Sequence, residues 1–150
     1  MERSRRRRDY LAYIKQDVIA HPSTKQLAHL ANFAYDEGNH MIFLELNLLQ
    51  LFMSFLNDEN YEFREISLSG ICNLSSNDLF HTGIDPDEII KSYNSNSMPA
   101  KRACLGILFY ISHKLTETQT DQILNLEAHD SVCKNLLRCI KHNLTEKAST

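Results

Sequence analysis

One short phrase occurs twice in register along this chain. Leu30-Ala31-Asn32-Phe33-Ala34 is matched forty-one residues on by Ile71-Cys72-Asn73-Leu74-Ser75, each an asparagine set among small and apolar residues. At about 100° per residue on a helix, Leu30 and Ala34 fall on the side opposite Asn32, so the apolar side is buried and the amide points outward. The same geometry holds for Asn73. A period of about 40 to 47 residues is that of solenoids in which two or three helices per repeat stack on their neighbours to build one long core. Such a chain offers a binding surface rather than an active site.

At 150 residues and 43% hydrophobic content, the chain can bury one ordinary core, and no second domain is expected. Three helical blocks just reach the minimum of about three repeats at which a solenoid covers its apolar faces. The most apolar stretch, Met41 to Leu56, is interrupted by Glu45, Asn47, Gln50 and Ser54. It is too short and too polar to span a bilayer, which takes about 20 apolar residues, so no membrane association is expected. With no signal-peptide pattern at the start, the sequons at Asn73 and Asn143 are expected to carry no glycan. Cys72, Cys104, Cys133 and Cys139 include no C-x-x-C pair and read as small core residues in a reducing compartment. Cys139 and His142 have C-x-x-H spacing, but two ligands alone are a weak zinc signal, and no metal or cofactor is expected.

Charge is unevenly spread. Residues 1 to 8 hold Arg3, Arg5, Arg6, Arg7 and Arg8 against one Glu2, whereas the whole chain is net −3, so an acidic body bears a basic tip. Such a tract serves as an import signal or as a phosphate-contacting arm. It reads equally as the solvated first turns of a helix.

Local signals place the helices. The stripe Tyr10, Leu11, Ile14 and Val18 predicts a helix from near Arg5 to Ala20, ended by His21-Pro22. Ser23 to Gln26 has the pattern of a capping box, opening a helix to Tyr35. Short helices are expected over Asn39 to Glu45 and, capped by Asn47, over Leu48 to Leu56. A long helix over Tyr61 to Ser75 carries Asn73, and a short one covers Asp78 to His81. Asp85-Pro86-Asp87-Glu88 is a helix start with aspartate at the cap and proline at the first helical position, leading to Tyr93. A third cycle opens at Pro99 after the loop Asn94-Ser95-Asn96-Ser97. A capping box at Thr116 to Gln119 starts a helix to Leu126, and a last helix covers Ser131 to His142. The expected organisation is a basic tip over residues 1–9, a helical-repeat domain over 10–142 and a flexible tail over 143–150, with no strand.

An asparagine amide both donates and accepts, so Asn32 and Asn73 at equivalent places on stacked helices form a row able to bind the N–H and C=O groups of an extended peptide. Lys25, Ala28, His29 and Tyr35 share the face of Asn32; Ile66, Ser69, Gly70 and Ser76 share that of Asn73. The matching position in the third cycle is Phe109, flanked by Arg102, Leu105, Gly106 and His113, which makes an aromatic, basic end of the kind that dominates binding energy. The candidate partner-binding residues are therefore Lys25, Asn32, Asn73, Arg102, Phe109 and His113. If the register slips by one residue, Phe109 is simply core, and the asparagines also read as ordinary solvated helix polarity. Gly70 and Gly106 each cost about 1 kcal/mol in a helix relative to alanine, which close approach of a neighbouring helix explains.

Leu27-Ala28-His29-Leu30-Ala31-Asn32-Phe33-Ala34-Tyr35-Asp36, Leu51-Phe52-Met53-Ser54-Phe55-Leu56 and Gly70-Ile71-Cys72-Asn73-Leu74 resemble the armadillo-repeat family. The resemblance implies an all-α fold, a short armadillo-type right-handed α-solenoid of about three repeats, monomeric on its own. It also implies a nuclear protein, present as well in the cytoplasm, acting as a non-catalytic splicing component. Its implied partners are an RNA-recognition-motif protein resembling RNA-binding motif protein 48 and other spliceosomal proteins. The pair would sit at the capped 5′ end of a U6-type small nuclear RNA in the minor spliceosome, the RNA being met indirectly. Asn32 and Asn73 are the groove residues that carry over.

Three other readings compete. An enzyme would draw on the carboxylates Asp85, Asp87 and Glu88, yet no H-E-x-x-H, G-x-S-x-G or glycine-rich phosphate loop occurs, and a helix start explains the cluster. Direct RNA contact through Arg3 to Arg8 would weaken steeply with salt, but the body is acidic and shows no aromatic-basic signature. A generic armadillo peptide adaptor of the import-receptor kind would need a longer asparagine row.

Overall fold

The computed structural model describes residues 2–94, 96–128 and 130–148, without the side chain of Ala148. Met1 of the tip, Ser95 of the expected loop, and Ser149 and Thr150 of the expected tail lie outside the described residues. Every regular element among the described residues is helical, so the fold is all-α, as expected. The chain divides into two compact units, Met1–Leu74 and Ser75–Thr150.

The first unit contains α1 (Glu2–Ala20), α2 (Thr24–Ala34), α3 (His40–Glu45), α4 (Leu48–Ser54) and α5 (Tyr61–Ser75), whose last residue belongs to the second unit. The basic tip is not a separate segment: it forms the first two turns of α1. Leu11, Ile14 and Val18 of α1 are buried, but Tyr10 lies 45% exposed, on the edge of the stripe rather than within it. On α2, Leu27, Leu30, Ala31 and Ala34 follow the helical period and are all buried. Ser23 does not cap α2 through its side chain, and the Gln26 amide nitrogen donates to the Asp17 carboxylate of α1. Asn47 precedes α4 in the left-handed region, φ 51°, a conformation its short polar side chain tolerates.

The repeat runs deeper than the asparagine phrase. After α2 the chain turns through a 3-10 segment, Glu37–Asn39; after α5 it turns through Asp78–Gly83. In the first turn Asp36 Oδ1 accepts from the Gly38 N–H at 2.9 Å; in the second Asn77 Oδ1 accepts from the Leu79 N–H at 3.0 Å. Buried His40 then donates from Nε2 to the Ala34 carbonyl at 2.9 Å, and buried His81 donates from Nε2 to the Ser75 carbonyl at 2.7 Å. Each of these pairs is forty-one residues apart. A helix leaves its last carbonyls without an internal partner, and a buried carbonyl left unpaired costs about 1–3 kcal/mol. The two histidines supply that partner at two corners of the same design.

The second unit contains α6 (Pro86–Asn94), α7 (Met98–Tyr110), α8 (Glu117–Leu124) and α9 (Ser131–Ala148). Asp85 starts α6 by accepting from the Asp87 N–H at 3.0 Å, and Ser97 caps α7. Both halves of the Thr116–Gln119 capping box form. The 3-10 segment after α7, Ser112–Lys114, begins at Ile111 without a side-chain cap, so the corner design of the first two cycles does not recur there. α9 runs six residues past the expected stop at His142, and buried Leu144 shows why: its side chain belongs to the core. The flexible tail expected over 143–150 is therefore helical through Ala148. Among the described residues, no helix is long and apolar enough to cross a membrane.

Candidate functional site

In the first unit the two copies of the repeated phrase lie side by side. Asn32 is exposed on α2. Asn73 of α5 is half-buried, and its Nδ2 donates to the backbone carbonyl of Ala31 at 3.0 Å. One amide hydrogen of Asn73 thus bonds α2, whereas both polar atoms of the side chain were expected to face a bound peptide. Gly70, expected on the same outward face, is buried instead. A Cβ built there would stand 2.7 Å from Cζ of Phe52, which confirms the packing explanation of this glycine: α4 approaches α5 through a ring tip where only hydrogen fits.

Lys25 is exposed at the start of α2 and borders a shallow cleft of about 420 Å³ with Thr24, Ala28, Tyr61, Glu62, Glu65 and Ile66. Ala28 and Ile66 supply an apolar floor, Tyr61 an exposed ring, and Lys25, Glu62 and Glu65 the charges around it. A second cleft, of about 360 Å³, opens further along α2 and is lined by Arg7, His29, Asn32, Phe33, Asp36 and Asn39. The α2 surface therefore holds Lys25 and Asn32 over concave ground.

The arginine tip is partly committed within its own unit. Arg7 donates to Asn39 Oδ1 at 2.8 Å and lies 3.5 Å from the Asp36 carboxylate. Arg8 donates from Nε to Glu45 at 2.8 Å, and Arg6 pairs with Glu2 one turn earlier. Arg3 and Arg5 are exposed. Arg7 and Arg8 thus fasten α1 to the 3-10 turn and α3, a structural use that their sequence position did not reveal.

The second unit holds the other three candidates. Arg102 donates from Nε and Nη2 to Asp130 Oδ2, at 3.0 and 2.6 Å. The Cys133 backbone N–H and the Arg102 guanidinium together hold the Asp130 carboxyl at about 2, below the usual carboxylate range. Phe109 is half-buried and meets Tyr110 edge to face at 5.6 Å, while Leu105, expected beside it on the surface, is fully buried. His113 is exposed; its ring lies 5.0 Å from that of His81, its carbonyl accepts from Lys147 at 2.6 Å, and it borders a hollow with Asn143 and Glu146. Lys114 next to it donates to the carbonyls of His81 and Ile84, and burial lowers its pKa.

Cys104 and Cys133 are buried and Cys139 is exposed, while burial pushes the half-buried Cys72 thiol up to about 11. Among the described residues, no group of three or more His, Cys, Asp or Glu side chains is placed to hold a metal ion.

An all-α chain whose corners repeat at forty-one residues, with an asparagine-bearing helix face above shallow clefts, has an armadillo-like architecture. Sequence comparison agrees over part of the chain: 46 residues are 44% identical to armadillo repeat-containing protein 7 of Mus musculus. That match covers 31% of this chain and about a quarter, 23%, of the mouse protein. No family model matches the chain. The histidine corners carry a sequence signal of their own, since His40 and His81 stand at the same forty-one-residue offset as Asn32 and Asn73 but outside the asparagine phrase.

Proposed function

We propose that this chain is a non-catalytic helical-repeat scaffold in a nuclear splicing assembly. Its partner is an RNA-recognition-motif protein resembling RNA-binding motif protein 48, and the pair acts at the capped 5′ end of a U6-type small nuclear RNA in the minor spliceosome. The observation that carries the reading is the 44% identity over 46 residues to an armadillo-repeat protein, together with the family resemblance of the repeated asparagine phrases. Armadillo-type helical folds typically serve as interaction scaffolds without chemistry of their own. The binding surface in this reading is the exposed face of α2, where Lys25 and Asn32 stand free of the core beside the two clefts. The α7 face with Phe109 and His113 is the second contact region.

Capture of the tagged full chain from nuclear extract, with recovered proteins and RNAs identified, tests this. The expected result is enrichment of an RNA-recognition-motif protein together with a U6-type small nuclear RNA. Recovery of the chain with neither of them overturns the splicing assignment.

A further inference from the structure

α1 and α2 of the first unit share a surface that carries both cations and uncovered rings. Along α1, Arg3, Arg6, Tyr10 and Tyr13 succeed one another at intervals of three and four residues, so they lie on one side of the helix, and all four are exposed. Tyr10 joins this stripe to α2. Its ring lies 5.9 Å from His29 and 6.0 Å from Phe33, edge to face in both cases, and its hydroxyl is 3.3 Å from His29 Nε2. His29 and Phe33 are themselves 5.1 Å apart. Tyr13 is 67% exposed and Tyr35, at the end of α2, 80%. No sequence motif announces this group, because its rings come from two helices.

Rings left open to water beside arginines complement a ligand with flat π faces at short intervals along an anionic backbone, which is single-stranded nucleic acid. A duplex keeps its base faces stacked inside. An acidic peptide would engage the arginines and leave the rings unused. Of the carboxylates nearby, Asp36 is engaged by Arg7 and Asp17 by the Gln26 amide, while Asp9, 63% exposed, lies 3.8 Å from Arg8. The Arg6–Glu2 pair is exposed on both sides, at 79% and 77%, and such a pair is worth too little to hold Arg6 back from a phosphate.

We propose that this α1–α2 surface binds single-stranded nucleic acid, with bases stacked on Tyr10, Tyr13 and His29 and phosphates held by Arg3 and Arg6. The binding shares His29 with the cleft beside Asn32 but needs no partner protein, so the purified full chain alone tests it. Fluorescence polarisation with a labelled oligouridylate of about twelve nucleotides, oligothymidylate of the same length and a matching duplex is the experiment. Both single strands should bind more tightly than the duplex, and tighter binding of the RNA than of the DNA would identify RNA as the natural source. Affinity should fall with salt, with a slope of about 0.7 per phosphate neutralised, and Arg3→Gln with Arg6→Gln should reduce that slope. Tyr13→Leu changes a ring with most of its surface in water and should weaken binding by roughly fivefold or more at unchanged slope. Tyr10→Leu should do the same, with a melting curve showing that α1 stays folded. Duplex bound as tightly as single strand overturns the proposal, as does wild-type affinity in both tyrosine variants, which would leave only a diffuse cation effect. Absence of binding at low salt, or tyrosine variants that keep nucleic acid and lose a captured protein, overturns it too.

Discussion

Asn73 and Ala31 tie the two copies of the repeated phrase together: the Asn73 amide donates to the Ala31 carbonyl at 3.0 Å, from α5 to α2. The same residue type therefore has two roles at equivalent positions. Asn32 faces solvent, while Asn73 is half-buried and braces its neighbour. Replacing Asn73 with alanine removes a tertiary hydrogen bond and should lower unfolding free energy by about 0.5–1.5 kcal/mol. Asn32→Ala on the exposed face should stay within about 0.5 kcal/mol of wild type. Urea denaturation of both variants checks the contrast, and equal effects would remove the distinction.

Gly70 should tolerate no side chain. An alanine Cβ would stand 2.7 Å from Cζ of Phe52, and Phe52 is fully buried, so the ring has no open space to retreat into. Gain of helix propensity, about 1 kcal/mol, opposes an overpacking cost of about 1–3 kcal/mol, and the net expectation is a lowered melting temperature. Phe52→Leu removes the ring tip; in that background Gly70→Ala should be less harmful than in wild type. Additive effects in the double variant would contradict the contact.

Asp130 links α9 to Arg102 and gives the second unit a predicted pH dependence. Its carboxyl is held at about 2, from an ordinary value of 3.8, first by the Cys133 backbone N–H and then by Arg102. A carboxylate with a depressed folded-state pKa contributes stability that is present above its unfolded pKa and is lost as pH falls through the folded one. Asp130→Asn should therefore be less stable than wild type at neutral pH, with the gap closing as pH falls from 3.8 toward 2. Thermal melts across that range check it; a gap that persists unchanged at the acid end would contradict the assignment.

The helices were largely legible because their signals are local. Asp85-Pro86 and the Thr116–Gln119 box sit within one turn, and each acts as its sequence says. Ser23–Gln26 has the same kind of pattern and fails: the Ser23 side chain makes no cap bond, and the Gln26 side chain is turned to Asp17 on the preceding helix. The end of α9 was misread because polar Asn143, Thr145 and Glu146 surround a single buried Leu144. The candidate surface was less legible. Periodicity put Asn32 and Lys25 outward, but it could not show that Asn73 would find the Ala31 carbonyl, that Gly70 and Leu105 would turn inward, or that Arg7 and Arg8 would reach Asn39 and Glu45. Those outcomes are tertiary, decided by which helix packs beside which.

The central claim is that the chain is a scaffold whose α2 face engages an RNA-recognition-motif protein, and the most direct measurement is calorimetric affinity between the two purified proteins. Wild type is compared with the double variant Lys25→Glu, Asn32→Ala, two exposed positions whose replacement leaves the core untouched, and with a chain lacking residues 1–6, which keeps Arg7 and Arg8 on their partners. The account predicts a specific complex that the double variant weakens by about tenfold or more, roughly 1.4 kcal/mol, at physiological salt. Loss of residues 1–6 should matter mainly at low salt, because exposed charges are screened beyond about 8 Å at physiological ionic strength. No complex at all, or a complex indifferent to the α2 substitutions and abolished by loss of the tip, would contradict it.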